Sequence, residues 1–135
     1  MTGTLVLVAT PIGNLGDLSP RAVAELSGAA LICCEDTRRT GKLLVHAGIT
    51  GVRMKRLDEH TERAGIAVVL DKLAAGHRVA LVSDAGTPAI SDPGERLVAA
   101  VVDAGYTVTT VPGPSAVVAA LVASGLATSR FVYEG

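Results

Sequence analysis

The sequence predicts an α/β fold, a three-layer α/β/α domain built on a mostly parallel sheet of about five strands. Short apolar runs alternate with amphipathic helical patterns along the whole chain of 135 residues. The run at residues 79–82 is apolar throughout, as expected of a strand that is buried on both faces. Regular alternation of this kind is typical of βαβ units with right-handed crossovers, and the chain length fits a single domain.

The elements follow from the apolar runs and from the residues that end them. In chain order the predicted strands are 5–9, 31–34, 52–57, 79–82 and 107–111, and the predicted helices are 20–28, 37–47, 64–75, 94–104 and 116–123, with a further extended piece at 131–133. Ser19, Asp36 or Thr37, and Ser115 precede helical patterns and are the predicted N-caps.

Three side-chain orientations are also predicted. Basic residues alternate with apolar ones at 52–57, which predicts an edge strand with Met54 turned inward. The fourth helix is expected to turn Leu97, Val98, Val101 and Val102 inward. The alanines of the last helix predict close packing on the sheet.

Composition excludes several functional classes. Aromatic residues make up 2% of the chain and the formal net charge is −1, which argues against a strong non-specific nucleic-acid binder. Cys33 and Cys34 are adjacent within an apolar run, as expected of buried thiols in a cytoplasmic protein. We find neither a signal peptide nor an apolar run long enough to cross a bilayer, so no membrane association is expected.

Three of the predicted strands break into Gly, Pro, Ser and Asp residues at their carboxyl ends. The central one continues into Ser83, Asp84 and Gly86, and the other two continue into residues 10–14 and 112–115. In open α/β sheets ligands bind at this edge. The prolines remove amide donors, and the glycine fingerprints of phosphate and dinucleotide sites are missing, so nucleotide binding is disfavoured.

Other chemistries have weaker support. The three histidines His46, His60 and His77 lack metal-ligand spacing, and no Gly-x-Ser-x-Gly nucleophile elbow is present. Ser83 and Ser115 are interpreted as residues that satisfy backbone amides. Arg38, Arg39 and Lys42 form either a local anion patch or a solvated helix start. The residues alone therefore predict a pocket for a small polar ligand and do not identify a reaction.

Five motifs, taken together in chain order, resemble those of a known family. They are Thr-Pro-Ile-Gly-Asn-Leu at 10–15, Cys-Glu-Asp-Thr-Arg at 34–38, Leu-Val-Ser-Asp-Ala-Gly-Thr-Pro at 81–88 with Ile-Ser-Asp-Pro-Gly at 90–94, Val-Pro-Gly-Pro-Ser-Ala at 111–116, and Arg-Phe at 130–131 with Tyr-Glu-Gly at 133–135. In this order they closely resemble the ribosomal RNA small subunit methyltransferase I branch of the tetrapyrrole methylase superfamily. One departure is Thr61, where the branch is expected to carry Asn.

The resemblance implies S-adenosylmethionine as methyl donor, no metal, and the ribose 2′-hydroxyl of a cytidine in the decoding region of 16S rRNA as acceptor. It also implies a homodimer of two-domain subunits, of which residues 1–135 are the amino-terminal domain and the carboxy-terminal domain is absent from this chain. Two alternatives stay open. One is another branch of the superfamily that acts on a tetrapyrrole or a protein, and the other is a non-catalytic binding domain.

The resemblance also assigns residues to the expected site. The donor-binding residues that it implies are Pro11, Gly13, Asn14, Ser83, Asp84, Ala85, Gly86, Thr87, Pro112, Gly113, Pro114 and Ser115. Glu35 and Asp36 are candidates for a catalytic base, with helix capping as the alternative for Asp36. Arg38 and Arg39 are candidates for positioning the RNA.

Overall fold

A computed structural model describes residues 3–90 and 94–135 and shows one five-stranded sheet flanked by helices. The strands are β1 (Thr4–Val8), β2 (Leu31–Cys34), β3 (Met54–Arg56), β4 (Arg78–Leu81) and β5 (Thr107–Val111), and the helices are α1 (Pro20–Gly28), α2 (Thr37–His46), α3 (Glu62–Ala74), α4 (Gly94–Asp103) and α5 (Ala116–Ala123), with a 3-10 turn at Leu15–Asp17. The predicted α/β class and strand order along the chain are confirmed.

The sheet has the order β3-β2-β4-β1-β5, and every pair of named strands is parallel. In β1, Leu5 pairs with Val79 on one side and with Val108 on the other. Successive residues of a strand point to opposite faces, so Leu5 and Val6 enter different core clusters. Those two clusters, one on each face, give the predicted three layers.

The helix starts follow from local hydrogen bonds. The Ser19 hydroxyl accepts a hydrogen bond from the Ala22 amide at 3.0 Å, and Pro20 occupies the first helical position of α1. Ser115 caps α5 in the same way, accepting from the Val118 amide at 3.5 Å. These caps satisfy amide groups that have no partner inside the helix. Because serine is a preferred residue at this position, both helix starts could be predicted from the sequence.

Several predicted orientations are wrong. Met54 is 37% exposed because β3 has three residues at the sheet edge and pairs only with β2. Val102 is 57% exposed because Leu97 and Val101, four residues apart, already define the buried stripe of α4, and Val102 lies about 100° further round the helix.

The predictions for the chain's carboxyl end also need correction. No residue of α5 is buried, since this helix follows the edge strand β5 and its small side chains reach no second layer. Residues 131–133 form no strand. The predicted irregular segment at 91–93 lies outside the described residues, as does the beginning of the chain at 1–2. Within the described ranges no helix is long and apolar enough to cross a membrane.

Gly3 allows the chain to pass over the end of α3. Its amide donates to the Leu73 carbonyl at 2.8 Å, and a Cβ at this position would overlap the His77 carbonyl oxygen and lie 2.9 Å from the Leu73 Cα. Gly3→Ala is therefore expected to lower the free energy of unfolding by about 1–3 kcal/mol, measured by urea denaturation. Gly28→Ala is the control because no atom would lie within 4 Å of its Cβ. Equal stability of the two variants would contradict the prediction.

Candidate functional site at the carboxyl edge of the sheet

The loops after β1, β4 and β5 meet at one edge of the sheet, as the sequence predicts. These three strands are neighbours in the order β4-β1-β5. Beyond the strand ends, Thr10 and Gly86 exchange two backbone hydrogen bonds of 3.0 Å in an isolated antiparallel bridge. The bridge fixes the first loop against the second.

Small residues let the loops approach so closely. Gly86 has φ +78°, and a Cβ there would lie 3.3 Å from Ile12 Cγ2. A Cβ at Gly113 would lie 2.9 Å from the Ala9 Cβ, so the third loop can pass the end of β1 only with glycine. The Thr87 hydroxyl donates to the Pro114 carbonyl at 3.1 Å and joins the second loop to the third.

The loop after β4 begins with a turn that Ser83 closes. Its hydroxyl donates to the Ala85 carbonyl at 3.0 Å and lies 3.4 Å from the Gly86 carbonyl oxygen. The interpretation of Ser83 as a residue that satisfies amides is therefore wrong, since the hydroxyl is a donor to carbonyl groups. The turn directs the chain so that the next residue, Asp84, is exposed at the edge.

A cavity of about 390 Å³ lies between the first two loops and α2. It is lined by Thr10, Pro11, Gly13, Asn14, Leu15, Arg39, Thr40, Lys42, Leu43, Ser83 and Asp84. We call this cavity the α2 pocket. Five of the residues that the resemblance assigned to the donor line it: Pro11, Gly13, Asn14, Ser83 and Asp84. The other seven are not part of the lining. They are Ala85, Gly86 and Thr87 in the loop after β4, and Pro112, Gly113, Pro114 and Ser115 in the loop after β5.

The two candidate bases lie beside the α2 pocket and do not line it. Asp36 is the N-cap of α2, and its carboxylate accepts a hydrogen bond from the Arg38 amide at 2.9 Å. That hydrogen bond is the main cause that lowers the pKa of Asp36, so this carboxylate is a weaker proton acceptor than an ordinary one. Glu35 is half-buried at the end of β2. The geometry thus gives Asp36 a capping role, and catalysis by either residue stays a prediction.

Asp84 differs from these two carboxylates because it lines the α2 pocket. Its side chain is exposed, and no ion pair with a cation of the described residues involves it. An exposed carboxylate at a pocket wall can interact with a cationic group of a ligand. This geometry suits the ligand-binding role that the resemblance assigned to Asp84.

One face of α2 supplies the cationic wall of the pocket. Arg39, Lys42 and Leu43 are spaced three and four residues apart, and all three line the cavity. Arg38 does not line the α2 pocket, and its side chain is 91% exposed and 3.8 Å from Asp36. It lines a second, more open cavity together with Arg39 and Lys42. Lys42 lies three residues after Arg39, and this helical spacing is the sequence signal that both side chains share one face of α2. The sequence analysis left open whether Lys42 belongs to an anion patch or to a solvated helix start.

Thr10 was not singled out by the sequence analysis as a site residue. It is 2% exposed, and its hydroxyl oxygen is buried without a hydrogen-bond partner among the residues that the structure describes. An unsatisfied buried hydroxyl costs about 1–3 kcal/mol, so such a group in a pocket lining calls for a functional explanation. No sequence pattern marks it, because the missing partner is a property of the three-dimensional neighbourhood.

The two cysteines are buried free thiols, as predicted. Burial, together with the neighbouring Cys34, raises the pKa of Cys33 to about 12. The pKa of Cys34 is also raised, first by burial and then by the carboxylates of Asp84, Asp36 and Glu35, while a hydrogen bond with Thr40 acts in the opposite direction. Both thiols are therefore protonated at neutral pH and are not nucleophiles. Over residues 3–90 and 94–135 no cluster of potential metal ligands is present.

Comparison with known proteins places the chain in a family. Residues 4–132 match the family model described as Tetrapyrrole (Corrin/Porphyrin) Methylases. The relative from Synechocystis sp. (strain ATCC 27184 / PCC 6803 / Kazusa), named Ribosomal RNA small subunit methyltransferase I, is 56% identical over 98% of this chain and 47% of its own length. A relative of the same name from Escherichia coli O157:H7 is 50% identical over 98% of this chain and 46% of its own.

The chain thus spans about half the length of the curated relatives that it matches. Among solved structures, a uroporphyrin-III-C-methyltransferase from Thermus thermophilus superposes with a TM-score of 0.64 and 24% identity, over 96% of this chain and 55% of that one. This likeness shows a shared fold. The family match covers nearly all of the chain, and the chain accordingly belongs to the tetrapyrrole (corrin/porphyrin) methylase family.

Proposed function

We propose that this chain is the amino-terminal domain of an S-adenosylmethionine-dependent methyltransferase that methylates the ribose 2′-hydroxyl of a cytidine in the decoding region of 16S rRNA. The observation that carries the proposal is the strong similarity, over nearly the whole chain, to relatives named for small-subunit rRNA methylation. The loops after β4 and β5 agree with a donor that has no phosphate, because their prolines reduce the number of backbone amide donors.

The residues present fit the donor's charges. Its sulfonium and ammonium groups are cationic, and Asp84 offers an exposed carboxylate that is not engaged in an ion pair with the described residues. The proposed donor surface is formed by Pro11, Gly13, Asn14, Ser83, Asp84, Ala85, Gly86, Thr87, Pro112, Gly113, Pro114 and Ser115. The bridge between Thr10 and Gly86 makes this surface rigid, which reduces the entropy lost on binding.

When bound, the donor supplies an activated methyl group for displacement by the ribose oxygen. The protein's task is alignment, since a small misplacement of the reacting atoms costs on the order of a hundredfold in rate. The strand-end loops hold one reactant, and the cations Arg38 and Arg39 at the start of α2 are proposed to position the RNA. Glu35 or Asp36 would take the hydroxyl proton if a base is used, and the capping hydrogen bond makes Asp36 a weaker proton acceptor than an ordinary carboxylate.

The complete enzyme is proposed to have a second domain that closes the donor site, to form a homodimer, to act in the cytoplasm and to use 16S rRNA within the small subunit. The length of the relatives, about twice that of this chain, supports the second domain. The nearly neutral charge supports a need for further RNA-binding surface, because the described domain has few cations to offer.

The test is transfer of a tritiated methyl group from labelled donor to 30S subunits that lack the modification. We expect incorporation into 16S rRNA, and mass spectrometry of the digested RNA should locate one 2′-O-methylcytidine in the decoding region. Subunits that already carry the modification are the control and should accept no label. Transfer to a tetrapyrrole or a protein, with none to RNA, would contradict the proposal and favour another branch of the family.

A further inference from the structure

We propose that the α2 pocket is the acceptor subsite, which binds the ribose and an adjoining phosphate of the RNA, and that the donor lies on the β5 side of the bridge between Thr10 and Gly86. This inference rests on the proposed function and deepens it. It divides the residues that the resemblance assigned to the donor into two groups. The group that lines the α2 pocket contacts the anionic RNA, and the other group contacts the cationic donor.

The first argument is charge. Arg39 and Lys42 line the pocket, and no carboxylate of the described residues lies within 4 Å of either cationic group. Asp36 accepts a hydrogen bond from the Arg38 amide and lies 3.8 Å from the Arg38 side chain. Its interaction with Arg39 is a longer-range one that contributes to the lowered pKa of Asp36. The two cations outnumber Asp84, the one carboxylate of this lining, so the pocket favours a phosphate over a sulfonium.

The second argument is independent of charge. Thr10 lines the same pocket, and its buried hydroxyl oxygen has no hydrogen-bond partner among the described residues. A hydroxyl or phosphate oxygen of a ribose and its phosphate would become this partner if a small shift of the lining exposes the Thr10 oxygen on binding.

The third argument is space. A volume of about 390 Å³ is near the lower end of small-molecule sites and has room for one nucleotide-sized group. The donor and the acceptor therefore do not both fit into it. The remaining small residues of the strand-end loops form a second surface, where Thr87 contacts Pro114 on the β5 side. Asp84 lines the pocket at the boundary and directly precedes this second surface in the chain.

The charge argument is tested in the full-length protein with Arg39→Gln, Lys42→Gln and the double variant. For each single variant we expect the KM for unmodified 30S subunits to rise about tenfold. The slope of a plot of log binding constant for RNA against log salt concentration should become shallower by about one. Donor affinity, measured by calorimetry without RNA, should stay within about twofold. Arg21→Gln removes an exposed charge from α1 and is the matched control, for which neither quantity should change. Arg38→Gln should have a smaller effect, since Arg38 does not line the pocket.

The hydroxyl argument is tested with Thr10→Val and Thr10→Ser. The Val variant keeps the side-chain shape and removes the unsatisfied hydroxyl, so its thermal midpoint should equal or exceed that of the parent. Its kcat/KM for 30S subunits should nevertheless fall about tenfold, while the Ser variant should retain activity within about threefold. Loss of activity in both variants with a lowered thermal midpoint would indicate a merely structural role.

The outcomes separate this inference from the proposed function. If Arg39→Gln and Lys42→Gln weaken donor binding and leave the KM for 30S subunits unchanged, the α2 pocket is the donor site and the inference is wrong, while methylation of rRNA stands. An unchanged donor affinity together with an unchanged KM for 30S subunits would also overturn the inference. If the parent protein transfers no label to 30S subunits, the proposed function itself fails.

Discussion

Asp84→Asn in the full-length protein is expected to lower methyl transfer to 30S subunits by about a hundredfold, equivalent to about 2.7 kcal/mol. The side chain keeps its shape and loses the negative charge at the boundary between the proposed donor and acceptor surfaces. A carboxylate that becomes desolvated beside a cationic ligand contributes on the order of 2–5 kcal/mol, so its removal should weaken donor binding as well. Calorimetry with the donor and tritium transfer measure the two effects.

The fold should tolerate this substitution. Asp84 is exposed and forms no ion pair with a cation of the described residues, so the thermal midpoint of Asp84→Asn should match that of the parent. Asp103→Asn at the end of α4 removes one exposed carboxylate elsewhere and is the control for net charge. Full donor affinity and full turnover in Asp84→Asn would exclude Asp84 from the site. A large drop in thermal midpoint would instead assign it a structural role.

The isolated chain of residues 1–135 is expected to fold and to transfer methyl groups at least about a hundredfold more slowly than the full-length protein. It should fold because both faces of the sheet bury their own apolar clusters. The proposed donor surface, by contrast, consists of one wall, and a ligand held on one side stays wet and mobile. The exposed apolar side chains of α5 support the view that this end of the domain needs a covering partner.

The measurement compares the two proteins at equal concentration, with 30S subunits and labelled donor. Circular dichroism and urea denaturation of the isolated chain establish that it is folded before the comparison is made. Donor binding to the isolated chain should be weak or undetectable by calorimetry. Comparable incorporation by both proteins would show that residues 1–135 contain the complete site, and the placing of the donor between two domains would be wrong.

Much of the fold was determined locally and could be predicted from the sequence. The bounds of β2, β5 and α5 agree with prediction because apolar runs and capping residues mark both ends of each. Ser19 and Ser115 cap the helices predicted for them, since a hydroxyl before a helix meets amides only a few residues away. The meeting of three strand-end loops at one edge was also predictable, because parallel strands present their carboxyl ends on the same side.

What the tertiary structure decided depends on groups that are distant in sequence. Exposure of Val102 and of all of α5 depends on which layers cover each helix, which no local pattern specifies. Arg39, Lys42 and Thr10 form one pocket because β2 and β1 lie on either side of β4, and this lateral order of strands brings α2 beside the first loop. Strand order is set by long-range packing and crossovers, so the pocket emerges only when the sheet is assembled.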